Sequence, residues 1–227
     1  MSCVNELFPR QQALKGQHMY HHDVPLTLIP TESWGRIPSD VECREWWDTY
    51  GMLGHIKDHS ELVAGVATTL AVFAARKGLG NPGGLGQDDF VQSVRVAGLL
   101  HDLGKTYSIE HGGNHSQIGA AWVMDLIRNP RIAQGVVHHV YWPGALDLDK
   151  HFLPLAIIYA DKRVKHDTIV SMEERFADLF DRYGHTERSR EWIARAFNQG
   201  RELEHIFSTF LGEDIHEYPF DRRRLVR

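Results

Sequence analysis

Between His55 and Lys77 the apolar residues Ile56, Leu62, Val63, Val66, Leu70, Phe73 and Ala74 recur at intervals of three and four, a spacing that lines one face of a helix and no face of a strand. The spacing predicts a helix that Gly78 closes. Other segments repeat the signal. Ser39, with Glu42 three residues on, forms a capping-box pattern and opens a helix over 39–50 that holds Val41, Trp46 and Tyr50. Asp88 and Asp89 put acid at the positive end of the next, which runs through Phe90, Val94, Ala97 and Leu100 to His101-Asp102 before Gly104. Ser108 to Gly113, rich in Gly, His and Ser, reads as a loop leading to Asn114, the N-cap of a helix over Gln117–Arg128. Asn129-Pro130 breaks that helix and starts Arg131–Tyr141. Phe152–Lys165, Ser171–Tyr183 and Thr186–Leu211 follow. With no alternating strand series and no repeat, the expected fold is all-α, a single-domain helical bundle.

The domain is placed at residues 39–211. An irregular arm with scattered prolines precedes it over 1–38, and a short tail, basic at its end, follows over 212–227. Gly78, Gly80 and Gly83 match G-x-G-x-x-G, but they follow a helix rather than a strand, so they read as a connection. Thirty acidic against 25 basic residues leave a net charge of −5, which supplies no field for nucleic acid. Two cysteines and no secretory leader pattern point to a cytoplasmic protein. Its longest uncharged stretch, Leu62–Ala75, is 14 residues, short of the roughly 20 that span a bilayer. No nucleic acid or membrane partner is expected, and a homodimer is left open.

Histidine departs from this ordinary composition: 15 are dispersed along the chain. A charged or imidazole side chain on an apolar stripe is costly unless something binds it. His59 stands on the first long helix, His101 and Asp102 close the next, and Asp161 interrupts the apolar run Leu153–Ala160. Helices that each supply one or two nitrogen or oxygen ligands are how bundles build metal sites in their cores. His115, beside a helix N-cap, and one of His138 or His139 complete a second position. His139 shares the face of Val136 and Ile132, whereas His138 is rotated about 100° away, which favours His139. Any single one of these histidines is more often a cap or a surface residue. The pair His-Asp also occurs at His22-Asp23 and His166-Asp167 and says little alone.

In order and context the set H…HD…H…H…D, with HSELVAGVATTLA, GLLHDLGK, HSQIGA and IIYADKR, resembles the HD-domain superfamily of metal-dependent phosphohydrolases. The resemblance covers about residues 39–180. It implies an all-α domain holding one or two divalent ions, with Fe, Mn, Ni, Zn and Mg all suited to imidazole and carboxylate ligands. His59, His101, Asp102 and Asp161 would hold the first ion, and Asp102 would bridge to a second on His115 and His139. After His139 the chain runs Val140-Tyr141-Trp142-Pro143 without a Gly-Tyr-Pro signature, which argues against the cyclic-dinucleotide phosphodiesterase branch.

Two such ions would lower the pKa of a shared water and clamp the oxygens of a phosphoryl displacement. Asp102 and Lys105 are the expected catalytic residues, with Lys105 neutralising charge on phosphate oxygens; a solvated helix-end lysine is an equal reading. Lys105, Lys162 and Arg163 are the expected substrate contacts, weighed against ordinary salt bridges. His55 and His111 are candidates for the general acid, as a residue type suited to proton transfer. Trp46, Trp47 and Trp142 are candidates for base stacking, against the commoner core role of aromatics. The expected activity is metal-dependent hydrolysis of a phosphate ester of a nucleotide or related small phosphorylated molecule. Two rivals share the ligands. One is an oxygenase resembling the HD-fold di-iron enzymes, acting on a small polyol or phosphonate. The other is a metal-dependent ligand sensor without turnover.

Overall fold

A computed structural model describes residues 35–81, 84–216 and Phe220; residues 1–34 of the arm expected over 1–38, with Cys3, and the basic end 221–227 lie outside the described residues. The chain enters at Gly35, whose φ of +71° and would-be Cβ, 2.3 Å from the Ile127 carbonyl oxygen, admit no side chain. Arg36 N–H donates to that carbonyl at 3.0 Å. Ser39 then caps α1 (Asp40–Thr49) by the expected reciprocal bonds with Glu42, and Trp47 donates from Nε1 to the Leu99 carbonyl at 2.9 Å.

The long apolar helix α2 (Gly54–Arg76) forms the axis of the bundle. It packs most heavily on α3 (Gln87–Leu100), where a Cβ on Gly98 would sit 2.6 Å from the Ala64 Cα. The helices approach backbone to backbone at that point. After the turn at His101–Gly104 the chain forms α4 (Lys105–His111), a helix where the composition predicts a loop from Ser108. Its anchors are tertiary: Leu53 N–H donates to Thr106 Oγ1 at 3.1 Å, and Tyr107 meets Trp122 edge-on. Asn114 caps α5 (His115–Ile127) and Asn129, with Pro130 in the first turn, caps α6 (Pro130–His138).

Asp147 caps α7 (Leu148–Asp161), which is kinked at His151 because Pro154 has no N–H to donate. This helix starts before the expected Phe152 and ends four residues before the expected Lys165. There the chain turns back through a hairpin of β1 (Val164–Lys165) and β2 (Thr168–Ile169), with His166 at φ 55°. Strands of two residues leave no alternation to read in a sequence. α8 (Met172–Tyr183) and α9 (Glu187–Leu211) begin one residue after their Ser171 and Thr186 caps. Beyond α9, Ile215 and Phe220 are buried. α2, α3, α6, α7 and α9 enclose Leu70, Leu99, Ile132, Ile157, Tyr159 and Phe207. Among the described residues the architecture is all-α apart from the hairpin, and no helix is long and apolar enough to cross a membrane.

Candidate metal centre

Five helices bring six side chains to one place. His59 comes from the first half of α2, His101 and Asp102 from the end of α3, His115 from the first residue of α5, His139 from the C-cap of α6, and Asp161 from the last residue of α7. His59 Nε2 lies 3.0 Å from Asp161 Oδ1, and His101 Nε2 lies 3.6 Å from Asp102 Oδ2 and 3.9 Å from Asp161 Oδ1. Asp102 Oδ1 in turn is 3.3 Å from His115 Nε2 and 3.5 Å from His139 Nε2, which are themselves 3.0 Å apart. The close approach of His115 depends on two glycines. A Cβ on Gly104 would fall 2.5 Å from the His115 carbonyl oxygen and 2.8 Å from Gly119 N.

Backbone carbonyls aim the rings. His101 Nδ1 donates to Gly98 O at 2.8 Å and His139 Nδ1 to Val136 O at 2.7 Å, while His59 Nδ1 lies 3.3 Å from His166 O. A neutral imidazole with its proton on Nδ1 offers only a lone pair at Nε2. Burial pushes His101 down to about 4, and burial with the neighbouring His139 pushes His115 down to about 3, so both are neutral near pH 7. Burial alone would raise Asp102 and Asp161, yet both sit well below the usual carboxylate range. His101 and Lys105 hold Asp102 down, and the His59 hydrogen bond and the Arg175 charge hold Asp161 down.

Lone pairs therefore face carboxylates in a buried space. His101 Nε2 and Asp102 Oδ1 are both buried without a hydrogen-bond partner, an arrangement that is repulsive until a cation enters it. His59, His101 and Asp161 form one group whose ligand atoms lie within 4.8 Å of one another, and His101, Asp102 and His139 form another. Imidazole and carboxylate without thiolate suit the borderline and hard divalent metals. The residues present fit divalent ions.

A cavity of about 350 Å³ opens over the cluster. Lys105 lines it, with Nζ 3.7 Å from Asp102 Oδ1. Lys162 also borders it, but its Nζ donates to the Val140 carbonyl at 2.9 Å, its side chain is buried, and burial lowers its pKa to about 8. Arg163, expected beside the substrate, is placed elsewhere. It sits one residue past the C-cap Lys162, so its guanidinium turns into the core, toward Tyr159, Glu204 and the Val170 and Ile215 carbonyls. That is a correction. His138 packs on Trp142 outside the cluster, and His55 and His111 are exposed and do not line the cavity. Trp47 and Trp142 are buried with their indole N–H groups bonded to Leu99 and Ala145 carbonyls, and Trp46 faces Arg36. None of these three tryptophans reaches the cavity.

Sequence reasoning passed over the His166 carbonyl and the wall made by α8 and α9, with Arg175, Phe176, Leu179 and Trp192, and Tyr141 beside it. Arg175 did leave a signal. It stands three residues after Met172 and four before Leu179, on the apolar face of its helix, where a charged group needs a reason to be.

A family model described as the HD domain matches residues 56–186, more than half of the 227. Comparison with curated proteins gave no match, and neither did comparison with solved structures. The matched segment contains all six clustered side chains, from His59 to Asp161. On the extent of that match and the ligand set it encloses, this chain belongs to the HD-domain family.

Proposed function

We propose that the chain is a metal-dependent phosphohydrolase acting on a phosphate ester of a nucleotide or related small molecule. The observation that carries this reading is the pair of ligand groups, His59–His101–Asp161 and His101–Asp102–His139, at the floor of a cavity bordered by the Lys105 ammonium. Bound there, divalent ions would supply Lewis acidity toward water and a phosphoryl oxygen. His115 adds a further nitrogen beside Asp102. Asp102, held ionised, presents one oxygen toward His101 and the other toward His115 and His139. Lys105, part-exposed at the rim, meets a phosphate oxygen and offsets the charge that builds there. The apolar wall excludes water from one side of the ester and strengthens those electrostatic contacts.

The test is metal content by mass spectrometry of the purified protein and of His101→Ala and Asp102→Asn, together with phosphate release from a nucleotide panel under added Mn²⁺ or Co²⁺. About two ions per wild-type chain, their loss from the variants, and phosphate release that falls with them are expected. Iron with oxygen consumption and no ester cleavage would replace this reading by the oxygenase. Wild-type protein that binds no metal would make the cluster structural.

A further inference from the structure

The six ligands lie inside the segment matched as HD domain, but Trp192, Ile193 and Ala196 of the cavity wall lie beyond it. The wall combines one cation with a set of rings and aliphatic groups. Arg175 is 12% exposed, its Nη1 stands 3.5 Å from Asp178 Oδ2, and its Nε is buried without a hydrogen-bond partner. A guanidinium has five N–H donors arranged to fork onto an oxyanion. Arg175 borders the cavity beside Asp161, while Lys105 borders it beside Asp102, so positive charge stands at both ends of the ligand cluster.

Next to Arg175 the wall is apolar. Phe176, Leu179, Ile193 and Ala196 line it, and Trp192, half exposed, meets Tyr141 edge-on with ring centroids 5.9 Å apart. Apart from the ligands and the three cations, the only side-chain polar groups among the described lining residues are the Tyr141 hydroxyl and the Trp192 indole N–H. The wall offers faces for stacking and almost nothing to read the edge of a ring. A site without such hydrogen bonds separates shapes weakly, whereas a site built to pair with a polar edge rejects the wrong one by about 10⁴-fold. A volume near 350 Å³ also lies at the small end of ligand cavities, which run from about 300 to 1,000 Å³.

We infer that Arg175 binds the phosphate and that Trp192, braced edge-on by Tyr141, stacks a flat ring, making the site selective for single nucleoside monophosphates without distinguishing purine from pyrimidine. This assignment rests on the phosphohydrolase reading for the presence of a phosphate, and its test reads binding separately from turnover.

Calorimetric titration of the Mn²⁺-supplied protein with the non-hydrolysable phosphonate analogues of adenosine 5′-monophosphate, uridine 5′-monophosphate and ribose 5-phosphate, and with inorganic phosphate, is the experiment, with phosphate release from the esters themselves assayed in parallel. Both nucleotides are expected to bind about ten-fold more tightly than ribose 5-phosphate and within about three-fold of each other. Trp192→Ala removes the nucleotide advantage and leaves ribose 5-phosphate binding unchanged. Arg175→Gln weakens all four by about ten-fold, and Arg175→Lys, which keeps a charge beside Asp178 but not the fork, recovers part of the loss. Equal binding of nucleotide and ribose 5-phosphate, a purine preference of about 10²-fold, or unchanged binding in a folded Arg175→Gln protein overturns the inference. The expected binding pattern without phosphate release leaves it standing and removes the hydrolase reading instead.

Discussion

At the scale of single residues, what sets this site apart is how few protons it contains. His101 and His139 each point an Nδ1–H outward at a carbonyl and a lone pair inward at carboxylates. Holding His101 near 4 and His115 near 3 has a consequence for the metal-free protein. In the unfolded chain these imidazoles protonate at about 6.5, so as the pH falls below that value the unfolded state takes up protons that the folded state refuses. Stability therefore falls with pH from about 6.5 down to about 4 for the His101 contribution and about 3 for that of His115. Thermal unfolding of chelated protein across pH 7.5 to 4.5 measures this; a midpoint constant through pH 5 would contradict it. Of the site's residues, the six ligand candidates could be marked in the sequence because they stand on apolar stripes or at helix ends and follow one another in a motif order. The carbonyls of Gly98, Val136 and His166 could not, since any residue carries one and only the folded chain says where it points.

Among the elements, glycine contacts decide how the centre is assembled. Gly104 and Gly119 let the turn after α3 touch the start of α5, and Gly98 lets α3 touch α2. Gly104→Ala and Gly98→Ala should each cost about 1–3 kcal/mol by overpacking, but with different effects on the metal. The added methyl at Gly104 pushes on the backbone of His115, so metal affinity drops along with stability. At Gly98 it pushes on Ala64 and shifts the carbonyl that holds His101, so the loss of affinity falls on the position that His101 serves rather than on the one beside His115. Metal titrations of the two variants, compared with their melting temperatures, separate these outcomes. The capped helices were legible because Ser39, Asn114, Asn129, Ser171 and Thr186 satisfy the first N–H groups with side chains that local sequence reveals. α4 was not, because its anchors come from Leu53 and Trp122, far away in sequence.

Over the whole molecule, one buried charge cluster ties the bundle's ends together. Arg163, just past α7, reaches Tyr159 and Glu204 and the carbonyls of Val170 and Ile215. Glu204 also accepts from Arg201 at 2.9 Å and lies 3.2 Å from His216 Nδ1. Arg163→Ala leaves the Tyr159 hydroxyl, one Glu204 oxygen and the Val170 and Ile215 carbonyls each short of a buried donor, and the expected cost is on the order of 3 kcal/mol. Denaturant unfolding should show that loss, while the surviving folded protein binds phosphate esters as before; weakened binding with unaltered stability would restore Arg163 to the substrate. The all-α architecture could be read from periodicity, but the direction of Arg163 could not. Its neighbours Asp161 and Lys162 suggested a shared role, and one turn of backbone sends the three side chains to a ligand cluster, a carbonyl pair and the core.

The two ligand groups share His101, and a single nitrogen lone pair cannot serve two ions at once. If the ion beside His59 takes it, the other is left to Asp102, His139 and the adjacent His115; if the other takes it, the first is left to His59 and Asp161, so the two positions are unequal either way. Loading should then be stepwise, with one ion that survives dialysis and a second that follows its free concentration. A binding isotherm with two separated dissociation constants is the expected form. Such a protein would register the metal supply around it through its weaker position while its stronger one stays filled.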